Sequence, residues 1–153
     1  MATAGRAVRS GEVALWRQVG VLAARVNQAV DRALVRRHAL TLSELTALLT
    51  LCEGPERGSR IQDLADAVGL NQSSMSRLTA RLAAAGLAER VSCEYDRRGV
   101  YCAVTTQGRA AVAAAESTLR EELGKALEAA ALDPRTAAAV ARLRYDAVVH
   151  EGG

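Results

Sequence analysis

The chain has 153 residues, enough for one small domain with a single core. Half of it is hydrophobic but only 3% is aromatic, with no phenylalanine, so the core has to come from helices packed closely on small side chains. A net charge of +3 is too small to indicate a polyanionic partner by itself, no run is apolar for long enough to span a membrane, and three cysteines without a C-x-x-C pair suit neither a disulfide framework nor zinc.

Residues 1–10 are expected to form a flexible tail. Met1 to Arg9 lacks the apolar core of a signal peptide, so the cysteines read as reduced thiols and the expected location is the cytoplasm. From about Glu12 to His38 runs one long helical pattern. Val13, Trp16, Val19, Ala23, Val26, Val30 and Ala33 form its apolar stripe, with Arg17, Arg25, Asp31 and Arg32 off it. Some 27 residues would span about 40 Å. A small domain cannot cover that length, so part of the stripe should meet another chain. Thr41 and Glu44 form a capping box for the next helix, and Gly54-Pro55 ends it.

The most informative stretch follows. Ile61, Leu64, Ala65 and Val68 make one short buried stripe and Met75, Leu78 and Leu82 a second. Between them Gly69 can take the left-handed conformation that ends a helix. Ala65 is small enough for a steep crossing of the two helices. Ser59 and Gln62 read as a capping box for the first, Asn71 as a cap for the second, and Gly86 as its stop. The outer face of the second helix then carries Gln72, Ser73, Ser74, Ser76, Arg77 and Arg81. Arginine and glutamine bind base edges bidentately, and serine serves a base or a phosphate.

Two strand-like runs come next, Leu87–Cys93 and Val100–Thr105, around a basic turn, Glu94–Gly99. A hairpin there is expected to carry Arg97 and Arg98 at its tip, suited to the minor groove, with Asp96 pairing an arginine to fix the loop. Cys93 and Cys102 would then face each other across the hairpin, a candidate redox pair. Thr106 is expected to cap a helix reaching about Leu132. Asp133-Pro134 opens a last helix to about His150, with Val140, Leu143 and Ala147 on one face.

Charge placement supports a nucleic-acid partner. Residues 57–109 hold eight arginines and five acidic residues, so the whole excess of +3 lies in this segment. Arg60, Gln72, Ser73, Ser74, Ser76, Arg77, Arg81, Arg97 and Arg98 are the residues expected to contact double-stranded DNA. Catalysis finds no support: His38 and His150 lie on different helices, and Ser73, Ser74 and Ser76 have no nearby base. No cofactor or metal is expected.

The motifs Leu42-x-x-x-x-x-x-Leu49, Ile61-x-x-Leu-Ala-x-x-x-Gly-Leu70, Ser73-x-Met-Ser-Arg-Leu78, Leu82-x-x-x-Gly-Leu-x-x-Arg90, Asp96-x-Arg98 and Val104-x-Thr-x-x-Gly108 resemble the MarR (multiple antibiotic resistance regulator) family. The resemblance runs from Leu42 to about Gly108. It departs in the wing, where Cys93-Glu94-Tyr95 stands in place of a proline-rich turn entry. It implies a mainly α fold with a small β-hairpin wing, a winged helix-turn-helix lobe at 41–106, and dimerisation helices at 11–40 and 107–150, all within one domain, 11–153. It further implies a homodimer that represses transcription and binds a small aromatic or phenolic effector. Trp16, Arg17 and His38 are the residues offered for that effector. A winged-helix dimer serving as a protein-interaction module, and a thiol-based redox regulator, are the competing readings.

Overall fold

Helical periodicity governs most of the chain. A computed structural model describes residues 7–151. Its elements, in order, are α1 (Ser10–His38), α2 (Leu42–Glu53), β1 (Ser59–Arg60), α3 (Ile61–Val68), α4 (Gln72–Ala84), β2 (Ala88–Cys93), β3 (Asp96–Val104), α5 (Thr106–Ala131) and α6 (Ala137–Glu151). Of the expected tail, 1–10, residues 1–6 lie outside the described residues, 7–9 carry no regular structure, and Ser10 opens α1. No described helix is long and apolar enough to cross a membrane.

The chain divides into two compact units, and the divisions fall inside α1 and α5 rather than at their ends. One unit, Asp31–Arg120, holds a core of Leu48, Leu51, Leu64, Ala65, Met75 and Leu82. Each helix contributes the stripe that its apolar spacing predicts, and Ala65 is fully buried where α3 meets α4. The other unit comprises Met1–Val30 and Glu121–Gly153. There Leu22, Val26, Ala139 and Val140 are buried, and Arg25 on α1 pairs with Asp133 in the turn before α6. That turn delays α6 to Ala137: the Asp133 side chain accepts from the backbone N–H of Arg135 at 2.8 Å, so Asp133 caps a turn ahead of the helix.

The caps decide where elements stop. Thr41 and Glu44 close the expected capping box, and the Asn71 side chain accepts from the backbone N–H of Ser74 at 2.8 Å. Gly69 and Gly86 are left-handed, at φ 78° and 75°. Beyond Gly86 the Leu87 N–H returns to the Leu82 carbonyl at 2.9 Å, the six-to-one bond of a Schellman turn.

Two expected caps are corrected. Ser59 does not cap α3. Ser59 and Arg60 form β1 instead, paired with Cys102 and Tyr101 of β3, and Gln62 donates to Asp66 one turn along α3. Thr106 does not cap α5 either. Thr105 does, accepting the Gly108 N–H at 3.0 Å while donating to the Gly86 carbonyl at 2.6 Å. One hydroxyl thereby ties the turn after α4 to the start of α5.

The sheet is antiparallel, in the order β1-β3-β2. Its middle strand joins the core through Cys102, with Val104 packed against it. Gly58 lies against the Cys102 carbonyl with φ 95°, a backbone position and a proximity that exclude any Cβ.

Candidate nucleic-acid interface

With 3.6 residues per turn, the buried side of α4 is set by Met75, Leu78, Thr79 and Leu82. Directly opposite stand Ser73, Arg77 and Ala80, all exposed. Gln72 and Ser76 flank this line on one side, Ser74 and Arg81 on the other. Arg77 has no hydrogen bond or ion pair within the described residues. Arg81 is engaged: its Nε donates to Glu44 Oε1 at 3.2 Å, while Glu44 Oε2 accepts the Thr41 N–H at 2.9 Å. The start of α2 and the far end of α4 are therefore joined through one carboxylate. Of the α4 residues singled out from sequence, Ser73 and Arg77 are central, Ser76 and Arg81 flank them on either side, and Ser74 and Gln72 lie nearer the buried side.

The hairpin is present but its tip is not where the basic turn suggests. Cys93 pairs with Asp96, so the two-residue turn is Glu94-Tyr95, with Tyr95 95% exposed at the apex. Arg97 and Arg98 sit on β3 just behind the apex, both exposed. As consecutive strand residues they project to opposite faces of the hairpin. The regular ladder already centres the hairpin on Asp96, and a register shift between Val91 and Cys93, which strand propensity does not encode, moves the turn on to Glu94-Tyr95.

Asp96 is structural, as expected, although its partner is Arg60 rather than a neighbour in the turn. Oδ1 accepts the backbone N–H groups of Arg98 and Gly99 at 3.2 and 3.0 Å, and Oδ2 takes the Arg60 guanidinium. Burial acts to raise the Asp96 carboxyl, but the Arg98 N–H and then Arg60 outweigh it and hold the group below its ordinary value. The same carboxylate holds the Arg60 guanidinium above its own. Tyr101, which sequence reasoning does not single out, completes the cluster.

The two candidate redox cysteines do not face each other. Cys102 is opposite Arg90 on one side and Ser59 on the other, while Cys93 is opposite Asp96. Cys102 is buried, and that burial pushes its thiol up to about 11, away from thiolate reactivity. The expected pairing depends on a turn centred at Arg97-Arg98, and the turn lies elsewhere.

The residues offered for an effector do not share a unit. Trp16, 72% exposed, borders a shallow groove with Val8, Glu12 and Val13, and Arg17 is exposed beside it on α1. His38 belongs to the other unit and shares a hydrogen bond of 2.9 Å with the buried Thr118. Among the described residues no three His, Cys, Asp or Glu side chains are grouped to hold a metal.

Chemically, the arrangement offers a bidentate donor and a hydroxyl on one exposed helix face, and two arginines on an adjoining hairpin. Residues 38–99 match the sequence model of the MarR family, a span containing α2 to α4 and most of the hairpin. Over that span, about two-fifths of the chain, the protein is similar to the MarR family. Solved MarR structures agree over nearly the full length. Sco3205 from Streptomyces coelicolor, solved in complex with DNA, is 24% identical with a TM-score of 0.71, over 98% of this chain and 92% of its own. CouR from Rhodococcus jostii RHA1, bound to p-coumaroyl-CoA, is 27% identical with a TM-score of 0.63, over 88% and 93%. A MarR family regulator from Rhodococcus sp. RHA1 is 25% identical with a TM-score of 0.66, over 85% and 89%. No curated protein sequence matches the chain. The MarR fold accounts for Asp96-x-Arg98 and Gly108 in local terms: one fixes the wing backbone, the other admits close contact with Leu87.

Proposed function

We propose that this protein is a MarR-type, sequence-specific DNA-binding transcriptional regulator, acting as a homodimer on a pseudo-palindromic operator and answering to a small aromatic or phenolic effector. The observation that carries the reading is the outward line Ser73-Arg77-Ala80 on α4 beside a hairpin with two exposed arginines. That is the geometry of a recognition helix in the major groove with a wing beside it. Sco3205, solved with DNA, supports the nucleic-acid partner, and CouR, solved with p-coumaroyl-CoA, supports an aromatic effector. Repression follows the family resemblance, and a regulator of this kind works in the cytoplasm. Titration against DNA from the chain's own genomic neighbourhood and against random duplex tests the reading. Specific binding should exceed non-specific binding by about 10³-fold or more. Equal affinity for both would favour the interaction-module alternative.

The wing should contribute without reading bases. Arg98→Ala is expected to weaken binding to every sequence. Each phosphate left without its arginine should flatten the slope of log K against log salt by about 0.9. A slope equal to that of the parent would mean that Arg98 neutralises no phosphate.

Dimerisation rests on apolar surface. Val13, Leu15, Trp16 and Val19 on α1 and Leu143 and Val148 on α6 are all exposed. An apolar groove of about 350 Å³ in the same unit is lined by Leu15, Val19, Leu22, Leu127 and Leu143. So much uncovered aliphatic surface is unusual for a monomer. Sedimentation at micromolar concentration should give twice the chain mass, with thermal midpoint rising with concentration. A stable folded monomer would overturn the dimer.

A further inference from the structure

Arg60 belongs by sequence with the expected DNA contacts, yet its side chain is turned to another task. It is the register partner of Tyr101, and its guanidinium lies over the Tyr101 ring, 5.9 Å from the centroid. It also holds Asp96 Oδ2, the oxygen to which the Tyr101 hydroxyl donates at 3.4 Å. The other oxygen of Asp96 carries the N–H groups of Arg98 and Gly99. A Cβ at position 99 would press on the Asp96, Tyr101 and Arg60 side chains together, so the cluster would have to shift to admit one. Arg60 also directly precedes α3, and β1 occupies the outer edge of the sheet.

This cluster lies where the ladder is weakest. Regular pairing of β2 with β3 breaks between Val91 and Cys93, so Arg97 and Arg98 lie in the irregular stretch of β3 between the pairs at Tyr101 and Asp96. A guanidinium anchored at the start of the helix-turn-helix takes over from the ladder there.

We propose that Arg60 is a positioning residue, acting through Asp96 to hold the backbone of Arg98 and so to aim the wing arginines, and that it is not itself a phosphate contact. The proposal rests on the DNA-binding reading above for its consequence, and on the cluster geometry for its mechanism. A planar guanidinium can donate to one carboxylate oxygen while lying over a ring, a combination that a lysine ammonium does not reproduce. The ion pair is also locally neutral, so the positive potential of the wing comes from Arg97 and Arg98.

Two measurements on the full chain test it. In the free protein, Arg60→Ala and Asp96→Ala should each speed hydrogen exchange at the Arg98 and Gly99 amides by about tenfold or more, with α4 amides unchanged. Unchanged exchange at the wing overturns the proposal whether or not the protein binds DNA, and equal acceleration throughout the lobe reduces Arg60 to a general stability role and overturns it too. On operator DNA, R60A, D96A and the double variant should all lose a similar factor of about ten, because each breaks the same clamp. If D96A binds as tightly as the parent or more tightly, or if R60A costs as much in the D96A background as alone, Arg60 contacts phosphate directly and the proposal fails. Absence of operator binding by the parent chain would refute the DNA-binding reading, while the exchange measurement still decides the clamp.

Discussion

Gly108→Ala is expected to cost about 3 kcal/mol of folding stability, at the upper end for an overpacked site. A Cβ at this position would overlap the Leu87 carbonyl oxygen and crowd Val104. The obstacle is backbone, so no rotamer change relieves it. Nor can Leu87 move freely, since its carbonyl accepts the Thr105 N–H at 3.1 Å and its own N–H closes the turn after α4. Gly108 also donates to the Thr105 hydroxyl that caps α5. Separating α5 from residue 87 would therefore disturb the ends of two helices at once. Gly124, on the same helix, has nothing near its absent Cβ. There alanine should stabilise by about 0.5–1 kcal/mol through helix propensity alone. Denaturant midpoints compare the two, at constant m. An alanine at 108 as stable as the parent would mean that the contact between α5 and the Leu87 turn is looser than described.

Signals local in sequence carry most of the fold. The capping box at Thr41 and Glu44, the Asn71 cap and the left-handed glycines 69 and 86 each act within a few residues, and each lies where its chemistry places it. The outward residues of α4 are legible for the same reason, because 3.6-residue spacing assigns faces without tertiary information. Features that depend on distant partners are not. Ser59 resembles a cap by spacing, but β3 competes for its backbone from more than forty residues away and draws it into a strand. The regular ladder sets Cys102 opposite Arg90, which excludes the expected Cys93–Cys102 pairing, and a register shift that no propensity marks then brings the tip to Glu94-Tyr95 rather than Arg97-Arg98. Thr105 displaces Thr106 as a cap because only Thr105 also reaches the Gly86 carbonyl. Arg60 and Asp96 are 36 residues apart, with nothing in their neighbourhoods to announce the pair.

Arg77→Ala is expected to lower operator affinity by about 1–3 kcal/mol per half-site and to relax preference at one base position in each. The case rests on a contrast along α4. Arg81, one turn on, is tethered to Glu44, and reaching a base would first require breaking that ion pair. Arg77 has no such partner among the described residues and stands midway across the exposed face, with Ser73 before it and Ala80 after it. Its planar fork can meet the O6 and N7 acceptors of guanine together, a match to one base edge rather than to phosphate at large. Arg77→Lys separates charge from geometry: a lysine keeps the charge but not the fork, so non-specific affinity and salt slope should stay near those of the parent while operator preference falls. Competition between operator and random duplex at fixed salt measures both quantities. Should R77A weaken binding equally to the two, with a flatter salt slope, Arg77 holds the phosphate backbone and the reading of bases passes to Gln72, Ser73 and Ser76.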